Sequence, residues 1–135
     1  MSTIASTPQT SRPATPARRV GLAVVAALVV NVATFFVAKA AGASFTGDMP
    51  YAVNVVGVAV ASVVPIVIAV LVLSRIVRRW TRFQNTAAWL GLALALVSCA
   101  SPFAVAADTA TAIALALMHV FTGLAWFFAV RPRTA

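Results

Sequence analysis

Four uninterrupted apolar runs, at residues 20–41, 52–73, 86–107 and 109–130, leave this chain very few folds to adopt. Each is close to the roughly 20 residues that a helix needs to cross the hydrocarbon core of a bilayer. A soluble core has no use for that length four times over. With 62% of its residues hydrophobic and 9% charged, the chain falls outside the range of soluble globular domains. Backbone groups facing lipid must be paired within their own segment or around a closed barrel, and the runs lack the alternating polarity of barrel strands. The expectation is an all-α fold, a four-helix transmembrane bundle running up-down-up-down. It occupies 20–130 as one domain, between tails at 1–19 and 131–135.

The basic residues predict how the bundle is threaded. Arg12, Arg18 and Arg19 precede the first run, Arg75, Arg78, Arg79 and Arg82 follow the second, and Arg131 and Arg133 follow the fourth. Only Lys39 falls on the other side. Basic residues in short flanking segments are retained in the cytoplasm, so both termini and the central basic loop are expected on the cytoplasmic side of the cell membrane, inner or plasma, which the chain crosses as a multi-pass protein. The only acids, Asp48 and Asp108, then face outward. Trp80, Trp89 and Trp126 sit near the inner interface and Tyr51 near the outer one, as expected of interfacial aromatic rings. The net charge of +8 does not indicate nucleic acid, because the arginines flank spans and form no aromatic-laced patch. Arg75, Arg78, Arg79 and Arg82, with Trp80, are expected as topology signals, and anionic lipid contact is a second role open to them.

Residues 1–19 are rich in Ser, Thr and Pro with almost nothing to bury, and are expected as a disordered cytoplasmic tail. A cleaved signal peptide is the competing reading, on the small-x-small sequence Ala38-Lys39-Ala40. The apolar run before it exceeds the usual length of such signals.

Each run has a face of small and polar residues. On the fourth, Asp108, Ala112, Leu115, Ala116, His119, Thr122, Gly123 and Trp126 share a side, opposite Ile113, Leu117, Val120, Leu124 and Phe128. The corresponding stripes are Ala27, Asn31, Thr34 and Ala38 on the first run, Asn54, Gly57, Ala61 and Pro65 on the second, and Gly91, Ala95, Ser98, Ser101 and Pro102 on the third. Small residues let helices approach and polar groups bond across them, so these faces are expected to converge. Asn31, Ser62, Ser98 and His119 fall at similar depth and form a candidate intramembrane polar layer. Pro102 deprives the Ser98 carbonyl of its helical donor, which suggests a bond from the His119 imidazole to Ser98. His119 is either a packing residue or a relay, ligand or gating group.

Lys39 and Asp108 are candidate outer-face charges. Asp108 is expected to cap the fourth helix, with an outward ligand site as the alternative, and Lys39 can pair with Asp108 or Asp48. Cys99 is single and is expected to pack as a small residue. One His, one Cys and two Asp do not assemble a metal cluster or a nucleophile triad, so neither enzymatic activity nor a cofactor is expected.

The stretch from Trp89 to His119, with Ser98-Cys-Ala-Ser-Pro102 and Leu115-Ala-Leu-Met-His119, resembles a family of uncharacterised small four-span membrane proteins of high-GC Gram-positive bacteria, a domain of unknown function. The resemblance covers residues 18–131 and implies a membrane fold without implying an activity. Small multidrug exporters are similar in size, but the first-span acid they need is replaced here by Asn31. Small fluoride channels pair as antiparallel copies, which a nine-to-one charge bias opposes. The expected role is a structural or accessory component that binds another membrane protein or itself; the alternative is a small oligomeric transporter or channel with His119 lining the path.

Overall fold

The computed structural model describes residues 16–49, 53–80 and 82–132. Five helices follow one another: α1 Pro16–Ala40, α2 Val55–Val77, α3 Phe83–Ser98, α4 Ser101–Val105 and α5 Thr109–Val130. α3 and α4 together make one span, so four segments are each long and apolar enough to cross a membrane. This is the architecture of a multi-pass membrane protein. α1 begins at Pro16, a favoured first helical residue because its missing N–H is not needed there. The helix thus takes in 16–19 of the expected tail, while 1–15 and Tyr51 lie outside the described residues.

α5 is the central helix. It packs along α1 on one side and α3 on the other, and α4 folds over its first turns. α2 lies against α1 and touches α3 and α5 sparsely. Both ends of α5 are tied down. At its start the Asp108 side chain accepts from the Thr111 backbone N–H at 2.7 Å. At its end, where the last carbonyls of a helix have no intrahelical partner, Arg19 of α1 donates to the Phe128 carbonyl at 2.6 Å. Gln84 of α3 donates to the Val130 carbonyl at 2.8 Å.

Two apolar clusters fill the bundle. Phe35, Phe45, Val58, Ala114 and Met118 pack at the end that carries Asp108. Leu73, Ala87, Ala88, Phe127 and Val130 pack at the end that carries the arginines. α3 and α5 approach closely between them, because glycines face the bulk of the partner helix: a Cβ at Gly91 would strike the Trp126 indole, and one at Gly123 would strike the Ala95 side chain. The indole is fixed in that slot by a 3.0 Å bond from its Nε1–H to the Ala87 carbonyl.

The span formed by α3 and α4 is not one continuous helix. The Cys99 N–H bonds the Leu96 carbonyl and the Ala100 N–H bonds the Val97 carbonyl, both at 3.2 Å. The chain therefore tightens to three-residue turns just before Pro102, where an i to i−4 bond is unavailable. The expected inward face of α2 is corrected by the structure. Val58, Ser62, Ile66 and Leu73 are buried, whereas Asn54, Ala61 and Pro65 are exposed. The helix is turned by about one residue's rotation from the expectation.

Replacing Gly91 by Leu is expected to expel the Trp126 indole from its slot and to lower stability by about 1–3 kcal/mol, the usual cost of overpacking. Thermal unfolding in detergent, followed by tryptophan emission, measures both effects.

Candidate functional site

The described polar side chains at mid-span gather around Asn31, which is 2% exposed on α1. Its amide nitrogen donates to the Ser62 hydroxyl of α2 at 2.8 Å and to the Thr122 hydroxyl of α5 at 2.9 Å. Each hydroxyl passes its own proton to its own helix, Ser62 to the Val58 carbonyl at 2.7 Å and Thr122 to the Met118 carbonyl at 2.8 Å. The orientation of the amide follows from these bonds. Turned over, its oxygen would meet two hydroxyls whose protons are already committed, and its two N–H groups would lose both acceptors. With the nitrogen placed correctly, the amide oxygen Oδ1 is buried and has no donor among the described residues.

His119 lies one turn before Thr122 on the same side of α5. Its Nδ1 is 2.7 Å from the Leu115 carbonyl. A carbonyl can only accept, so Nδ1 carries the proton that makes this bond. The ring is half-buried. Ser98 bonds the Leu94 carbonyl of its own helix at 2.8 Å, and no hydrogen bond joins it to His119. The expected Ser98–His119 bond is therefore replaced by two bonds within helices. Cys99 mediates the contact instead, its thiol lying 3.3 Å from the Ala95 carbonyl and 3.4 Å from the Ala116 carbonyl of α5. Thr122, which completes the cross-helix set, was on the expected inward face but was not singled out. Its position one turn from the only histidine is the signal in the sequence that points to it.

At the Asp108 end a second polar group closes the bundle. The carboxylate accepts from the Ser44 hydroxyl at 2.5 Å, from the Thr111 N–H, from the Thr111 hydroxyl at 2.8 Å and from the Ser44 N–H at 3.2 Å. The Ser44 hydroxyl, then the Thr111 N–H and the Thr111 hydroxyl, hold this carboxyl well below its ordinary pKa of 3.8. The segment after α1 is thereby strapped over the start of α5. Phe45 enters the core at φ 55°, a left-handed conformation rare for such a side chain. It is held there by its N–H bond to the Thr111 hydroxyl at 2.9 Å and by a ring contact with Phe35 at 4.6 Å. Gly47 pairs with Ala106 beside it, at an approach to the Val105 carbonyl that leaves no room for a Cβ. Lys39 is exposed. The Asp108 oxygens are occupied by Ser44 and Thr111 and not by this lysine.

Arg75, Arg78, Arg79, Arg82 and Trp80 are all exposed at the opposite end. Trp89 is exposed on α3 and meets Phe127 edge-on at 4.8 Å. Of the three tryptophans, Trp126 is the one that turns inward. No group of three or more His, Cys, Asp or Glu among the described residues is placed to hold a metal ion.

Asn31→Leu is expected to cost about 1 kcal/mol, the scale of hydrogen bonds between membrane helices, with Ser62→Ala and Thr122→Val each losing part of the same energy. Unfolding of single and paired variants in detergent measures the coupling. For Asp108, a lowered pKa means stabilisation that is complete above pH 3.8 and lost as the pH falls further. Asp108→Asn is expected to be less stable than the native chain at neutral pH and to lack that acid-dependent loss, as followed by circular dichroism against pH.

No curated protein and no solved structure matches the chain. A family model covers residues 11–135, including every helix described above, and on that match the chain belongs to a family of unknown function, DUF6069.

Proposed function

We propose that the protein is a non-enzymatic component of the cell membrane, with both termini and residues 78–82 in the cytoplasm, which associates through the outer face of α2 with another membrane protein or with a second copy of itself. The observation that carries this reading is the exposure of Asn54, Ala61 and Pro65, with Gly57 half-buried beside them. Between membrane helices the driving forces are close packing and hydrogen bonding, and small side chains let backbones approach. Pro65 has no N–H to give the Ala61 carbonyl, so this outer stripe also carries a backbone acceptor without its usual helical donor. In hydrocarbon such a group favours a partner that can donate to it. The seven described arginines, Arg18, Arg19, Arg75, Arg78, Arg79, Arg82 and Arg131, lie at the end opposite Asp108 and support the orientation. The titratable inventory, with Asp108 engaged as a cap, supports the absence of catalysis.

A second reading has one specific observation in its favour. Asn31 Oδ1 has no donor among the described residues, and His119 lies one turn from Thr122, to which Asn31 bonds, so the mid-span layer sets a buried acceptor near an ionisable ring. That chemistry suits a small oligomeric transporter or channel in which His119 lines a hydrated path.

In a Cys99→Ser chain, Ala61→Cys is expected to give a discrete crosslinked species in native membranes, while Leu94→Cys on the exposed face of α3 does not. Ala61→Ile should abolish the association and leave unfolding of the isolated protein unchanged, since the site is exposed. Equal crosslinking from both positions would sink the reading. Labelling of Leu115→Cys and Thr122→Cys by a water-soluble thiol reagent would favour the transport path in its place.

A further inference from the structure

The start of α1 and the end of α5 enclose an open groove of about 610 Å³, lined by Arg19, Leu22, Ala23, Phe128, Arg131 and their neighbours. Its two ends differ in chemistry. Leu22 and Phe128 are each 61% exposed and make an apolar floor that continues along the outer surface through Val25 and Leu124. Arg19 and Arg131 stand at the mouth, at the ends of their spans. We propose that this groove binds an anionic phospholipid, with the phosphate against the two arginines and one acyl chain along Leu22 and Phe128.

The electrostatics set what each arginine contributes. The C-terminus of α5 carries partial negative charge from its last carbonyls, which by itself would repel a phosphate. Arg19 cancels it, donating to the Phe128 carbonyl at 2.6 Å and to the Arg131 carbonyl at 3.3 Å from each terminal nitrogen. These bonds use three of its five N–H donors and fix the guanidinium in place, leaving two donors for a further oxygen. Arg131 lies over the Phe127 ring at 5.3 Å, a cation–π contact that orients the group without neutralising it. Neither acid of the chain is at this end: Asp108 caps the opposite end of α5, and Asp48 lies in the same strap. Two oriented cations with no Asp or Glu side chain beside them among the described residues, above an apolar trough, match a phosphodiester joined to a hydrocarbon chain. A free anion would use only the arginines. The inference does not depend on association through α2.

The test uses the full-length protein in detergent, offered phosphatidylglycerol and phosphatidylcholine in equal amounts, with retained lipid read by native mass spectrometry. The expected result is preferential retention of one phosphatidylglycerol. Arg131→Gln should weaken it about fivefold, on the scale of one basic residue at an anionic surface. Leu22→Trp, which fills the trough and leaves both arginines, should weaken it as well, whereas Arg75→Gln, at an exposed position in the last turn of α2, should leave it intact. Both test residues are exposed, so the fold tolerates the changes. Equal retention of the two lipids, or native retention by both Arg131→Gln and Leu22→Trp, overturns the proposal. Displacement of the lipid by inorganic phosphate alone assigns the groove to a soluble anion and overturns it too.

Discussion

The Asn31 amide does what apolar packing cannot do in this fold. Lipid tails are as apolar as leucine, so no hydrophobic force gathers helices in a bilayer. A buried amide with donors toward two neighbours supplies direction instead. Its bonds to Ser62 and Thr122 join α1, α2 and α5 at one level. α2 depends on this most, because its other contacts are with α1 alone or are sparse. The rotation of α2 about its own axis is therefore set by one serine. Ser62 turns inward, Val58 and Ile66 follow on the same face, and the smaller residues are left outside.

α3 and α5 are held by a different means. Gly91 and Gly123 remove side chains where the helices meet, and the indole of Trp126 fills the space opened by the first of them. Its N–H reaches the Ala87 carbonyl, a bond to backbone that a phenylalanine at this position would not make. The break before Pro102 belongs to the same interface. By tightening the chain at Cys99 and Ala100, it turns α4 over the first turns of α5.

Much of this was legible in the sequence, for reasons that also explain what was not. The four spans follow from length and hydropathy. The inward side of α5 followed from a polar stripe long enough to be unambiguous. The buried face of α2 is not legible from its small residues, because these mark any close approach, inside the bundle or outside it, whereas Ser62 does lie on that face. Asn54, expected on that inward face, instead caps α2 by accepting from the Gly57 N–H at 2.9 Å. Ser98 was expected to bond across helices, but a serine hydroxyl can return its proton to the preceding turn at no cost in burial. The strap of Ser44 to Gly47 had no periodic signal to reveal it. Its conformation depends on partners in α5 more than sixty residues away, such as Thr111 for Phe45 and Asp108 for Ser44.

The bond pattern of α1 sets the order in which the protein can be completed. Asn31 and Thr122 are 91 residues apart in the chain, and Arg19 and Phe128 are 109 apart. α1 is made before α5, yet α1 finds its main polar partners on α5. During synthesis the Asn31 amide can reach Ser62 once α2 is inserted, but its second donor waits for nearly the whole chain. The bonds that join α1 to α5 can therefore form only once α5 lies between α1 and α3.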